Sequence, residues 1–87
     1  MENNDDKIRN AVEIVRIGNG ILLQRIEPLL DPTEKGKFIA VDVDSEAYEI
    51  DKSDHAAFVR LLSKYPSADV HLARIGEPAT YRMRSQR

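Results

Sequence analysis

The sequence predicts an α+β domain: a long N-terminal helix, then a β-β-α-β-β run forming an antiparallel sheet with the helices packed on one face. Three observations predict it. Apolar residues recur at steps of three and four from Ile8 to Leu29, and alternating runs stand at "FIAVDVDSEAYEID" and "ADVHLARIG". Between those runs lies a capped amphipathic stretch, "SDHAAFVRLLSKYP". The 87 residues are 41% apolar and 32% charged and lack cysteine, so packing or association must supply all the stability. One domain over 1–87 is expected: a helix to residue 27, a ββαββ core over 38–84 and a tail at 85–87.

The first helix rests on Ile8, Val12, Val15, Asn19, Leu22, Ile26 and Leu29, an a/d pattern with one polar member. The Asn19-Gly20 pair would equally suit a hairpin turn, but Val12 to Ile17 breaks the alternation a strand requires. Gly18 and Gly20 each cost a helix roughly 1 kcal/mol, whereas each buried aliphatic side chain contributes on the order of 1.5–3 kcal/mol. The balance favours a helix over residues 5–27, bent at the glycines and ended by Pro28.

Asn19 at an a position suggests a zipper, yet Arg9, Arg16 and Arg25 flank the stripe with no acidic residues to pair with them. The stripe is therefore expected on the chain's own sheet. Ile14, Ile17 and Ile21 fall on the opposite face. A rod about 35 Å long at 1.5 Å per residue exceeds a globule about 31 Å across, so this second apolar face is expected to form the contact with another copy or a protein partner.

Beyond the loop "LLDPTEKGK", Phe38 to Val43 and Tyr48 to Ile50 make a hairpin about a polar turn at residues 44–46. Ser53 or Asp51 caps a helix whose stripe is His55, Phe58, Leu61, Leu62 and Tyr65, stopped by Pro66. The next strand sets Val70, Leu72 and Arg74 on one side and His71, Ala73 and Ile75 on the other. "ATYRMR" then reads as a last strand with Tyr81 and Met83 facing one way.

The stretches "RIEPLL", "GKFIAVDVDSEAYEID", "LLSKYPSADV" and "HLARIGEPATYRM" resemble a family of small uncharacterised bacterial proteins. In that family a "GKFVAID…GDYEID" hairpin, a helix and an "RIG…AxYR" ending recur. The resemblance covers about residues 22–84. It implies an N-terminal helix and no established activity, and members look like one half of paired, antitoxin-like gene modules. Here Ala47 replaces the usual glycine or its neighbour in the turn, and "GNG" interrupts the helix.

Catalytic signatures are missing. "DVDSE" mimics the opening of a calcium loop, but Ala47 and Ser53 stand where glycine and a bidentate glutamate are needed. His55 and His71 lack a third ligand for zinc. No serine lies in a GxSxG context, and "GNGILL" follows no strand and lacks a third glycine. No catalytic, cofactor or metal site is expected, and the protein is expected not to be an enzyme.

Charge is uneven: residues 1–54 carry 13 acidic and 7 basic side chains, residues 55–87 carry 2 and 6. Arg74, Tyr81, Arg82, Arg84 and Arg87 could therefore grip phosphates and stack a base. The leading expectation is a non-catalytic interaction module that self-associates or docks a protein through its first helix; nucleic-acid binding is the alternative. With an acidic start unlike a signal peptide and no apolar run long enough to span a bilayer, a cytoplasmic setting without membrane contact is expected.

Overall fold

Asn10 sets where the first described helix begins. Its backbone is extended, its side chain accepts from the Glu13 N–H at 2.8 Å, and the Glu13 carboxylate accepts from the Asn10 N–H in return. This reciprocal cap satisfies two donors that the first turn leaves unpaired. Helix α1 therefore spans Ala11–Ile21 and does not start at residue 5. The computed structural model describes residues 9–77.

The helix passes straight through Gly18-Asn19-Gly20, which excludes the hairpin. What changes is its gauge. Leu22–Ile26 form a π-helical turn in which the Glu27 N–H reaches the Leu22 carbonyl, and Glu27–Leu29 tighten into a 3₁₀ turn around Pro28. The wide turn accommodates one extra residue, so Ile21 and Ile26, five apart, both stay buried. A second 3₁₀ turn, Pro32–Glu34, is capped by Asp31, whose carboxyl is held below its usual pKa by the Thr33 N–H.

Three strands follow: β1 (Phe38–Asp42), β2 (Tyr48–Asp51) and, after helix α2 (Asp54–Lys64), β3 (Val70–Arg74). Their order is β2-β1-β3, and both pairings are antiparallel. Val41 faces Tyr48 on one side and His71 on the other. The α+β class and the antiparallel sheet are as the sequence predicts. The predicted last strand, "ATYRMR", lies outside the described residues.

The layering differs from expectation: the helices occupy opposite faces. On one side Ile39, Val41, Val43, Ala73 and Ile75 meet Ile21, Leu22 and Ile26 of the first helical segment. On the other, Ala40 meets Ala57 and Leu61 of α2, with Ala47 and Val70 alongside. β1 is therefore apolar on both faces, as a central strand covered on both sides must be.

Each predicted stripe holds only in part: Leu22 and Ile26 of the first helical segment and Leu61 of α2 are buried as expected. Ile14 and Ile17 pack against the first core and Ile21 lies within it, while Val12, Val15 and Leu29 of the predicted core stripe are exposed. In α2, Ala57 and Leu61 face the sheet, whereas Phe58 and Tyr65 are 37% and 39% exposed. The cause is ionic. Arg60 donates to Glu49 at 2.8 Å, to Asp51 at 3.2 Å and to the Ile50 carbonyl at 2.9 Å; Lys64 donates to Glu49 at 2.5 Å. These contacts draw that flank of α2 over β2. They hold the Glu49 carboxyl below its usual pKa, through Lys64 first and then Arg60.

The β1–β2 connection consumes its own acidic groups. Asp42, only 4% exposed, accepts from the Asp44 N–H at 3.1 Å and the Ser45 hydroxyl at 2.8 Å; Ser45 accepts from the Ala47 N–H. Glu46 closes the turn at φ 69°, in the left-handed region. Its ion pair with Arg25, at 3.5 Å on the surface, contributes little. Replacing Glu46 with glycine should relieve the backbone and raise stability by about 0.5–1 kcal/mol. An upward shift of the urea midpoint at constant slope is the expected reading.

Candidate functional site

With Ile14, Ile17 and Ile21 turned inward, the first helix still presents apolar surface. At 100° per residue, Val12, Arg16 and Leu23 lie along one outer line, with Val15 at its margin. Val12 is 75% exposed, Leu23 58% and Val15 41%. The expected partner contact through the three isoleucines is thus corrected: the helix is two-faced, but the sheet takes the isoleucine face and leaves the valine–leucine face outside. Exposed apolar residues scattered singly need no explanation; three on one helical line make a surface.

The "GNG" segment is where the helix meets β3. Gly18 is buried against the His71 side chain, and Asn19 lies beside the imidazole, with Oδ1 3.2 Å from Nε2. His71 sits on the α1 side of the sheet and His55 on α2 at the other, so the two histidines do not meet. Among the described residues no three His, Cys, Asp or Glu side chains are grouped to hold a metal ion. His55 borders a shallow groove with Asp54, Phe58 and Leu72.

Arg9 ties the start of the described chain to the sheet, donating to Asp44 at 2.8 Å and Asp69 at 2.9 Å. These bonds, the one to Asp44 above all, raise its pKa further. Of the arginine cluster suggested for nucleic acid, only Arg74 falls among the described residues. Its guanidinium stands 4.6 Å from the centre of the Phe38 ring and pairs with Glu77 at 3.8 Å. Tyr81, Arg82, Arg84 and Arg87 lie outside the described residues. Arg74 thus serves its own cross-strand neighbour, Phe38.

Sequence reasoning missed Val12, Val15 and Leu23 as the outer face and the Gly18–Asn19–His71 junction as a seat. One signal for the seat was present: two glycines in a helical pattern mark a close approach as readily as a bend. No helix among the described residues is long and apolar enough to cross a membrane. Comparison with protein-family models, with curated proteins and with solved structures finds no match to this chain.

Proposed function

We propose that this chain is a cytoplasmic, non-catalytic interaction module that self-associates through the outer face of α1, in the manner of the protein-binding half of an antitoxin-like pair. The observation that carries the reading is the exposure of Val12, Val15 and Leu23 after the opposite helical face has been used by the core. An antiparallel pairing of two copies suits these residues. With Val12 opposite the partner's Leu23, two-fold symmetry closes both ends of the seam with an apolar pair.

Light scattering coupled to size exclusion at micromolar concentration tests the reading. The expected result is a mass twice the 9.9 kDa of the chain, falling to a single copy for Leu23→Glu and Val12→Glu with helix content unchanged. A wild-type monomer across the concentration range, or a dimer indifferent to both substitutions, removes the proposal.

A further inference from the structure

The junction of α1 and β3 is built around one ionisable ring. His71 is 3% exposed. Gly18 brings the helix backbone so near that a β-carbon there would stand 2.3 Å from both Cβ and Cγ of His71. With Asn19 Oδ1 accepting, the assigned tautomer is the neutral ring carrying its hydrogen on Nε2. Among the described residues no charged group faces the ring. Gly18 and Asn19 face it from α1 and Val41 from β1, all uncharged.

Charged side chains on the packed elements are committed elsewhere. Arg9 is bound to Asp44 and Asp69, Glu13 to the helix cap, and Arg25 to Glu46. Arg16 is exposed on the helix's outer line. Asp42 and Arg74 belong to the other face of the sheet by strand alternation.

We propose that His71 is an acid-sensitive latch whose protonation releases α1 from the sheet while α2 stays docked. An imidazolium at this position would be a buried charge beside a helix backbone, without a carboxylate partner. The remaining sheet contacts of α2 involve neither His71 nor α1. Release uncovers the isoleucine face of the helix together with Ile39, Val41 and Val43, a surface different from the valine–leucine line.

The sign follows from burial, which lowers the pKa of His71 below its ordinary value. Above about pH 6.5 the ring is neutral whether the helix is docked or free, and the latch holds fully. As pH falls below that, the free state binds the proton more readily and docking weakens. The loss stops once pH has passed the lowered pKa of the docked state.

Hydrogen exchange on the full chain between about pH 7 and about pH 5 tests this. Protection of amides 14–26 relative to those of α2 should fall as pH drops below about 6.5, at a slope of at most about tenfold per pH unit, that of one proton. His71→Gln should abolish the relative loss. Asn19→Asp should also suppress it, because a carboxylate facing the ring favours the protonated form in place. Equal loss in both helices overturns the latch, as does an unchanged acid slope in His71→Gln. Should His71→Gln fail to fold, an unchanged slope in Asn19→Asp overturns it alone.

Discussion

Alanine at Gly18 is expected to destabilise the protein by about 2 kcal/mol, while alanine at Gly20, two residues along the same helix, stabilises it by about 1 kcal/mol. Both substitutions gain the same helical propensity. They differ in what the new methyl group meets. At Gly20 nothing lies within 4 Å. At Gly18 the methyl would overlap the His71 side chain at 2.3 Å, and α1 must lift from β3 to admit it.

Overpacking of this kind costs about 3 kcal/mol, of which roughly 1 is returned by the better helix former. In a domain of this size 1 kcal/mol shifts Tm by about 4–8 °C, so the two melts should separate by more than ten degrees, in opposite directions. A double-mutant cycle gives the finer test. His71→Ala keeps the clashing β-carbon, whereas His71→Gly removes it, so Gly18→Ala should cost less beside glycine than beside alanine. Equal costs in the two backgrounds would show that the helix is not seated on that side chain.

Leu61→Ala is expected to cost about 3–4 kcal/mol, the largest loss from any single truncation on the α2 side. Leu61 is fully buried, and among the described residues its cluster otherwise holds buried Ala40 and Ala57, with Ala47 and Val70 partly buried at the edge. Two alanines offer no side chain that can swing into the space, so the cavity stays open. The ionic contacts of Arg60 and Lys64 with β2 are exposed and contribute little each. A domain of this length has on the order of 4–13 kcal/mol in total, so the variant should stand near its folding threshold. With a urea slope near 1 kcal/mol per molar, the midpoint should fall by about 3 M. A fall under about 0.5 M would mean that α2 is held mainly by its charged flank.

The parts of this fold legible in the sequence are those governed by a few adjacent residues. Period-two alternation placed both faces of β3 correctly, the polar run at residues 44–46 marked the turn, and Ser53 marked the start of α2. The Asn10–Glu13 box that starts α1 is equally local, five residues after the expected start at Asp5. What the sequence could not disclose was phase. A helix with Val12, Val15 and Leu23 on one side and Ile14, Ile17 and Ile21 on the other has no hydrophobic pattern that says which side is inside.

The sheet decides it, through the single position where a glycine allows contact with His71. The two-sided layering had a signal of its own. Phe38 to Val41 is a continuous apolar run, which marks a strand covered on both faces, as β1 is. The candidate site went astray with the helix phase, since the residues expected outside were those the core required.

The position of β1 between β2 and β3 has a consequence for the order in which the molecule can be assembled. The hairpin of β1 and β2 closes over a handful of residues, but β3 must return across the whole of α2 to reach β1. The seat for α1 spans β1 and β3. Helix α1 can therefore dock fully only after this long-range pairing is made, and its isoleucines stay partly uncovered until β3 lies beside β1.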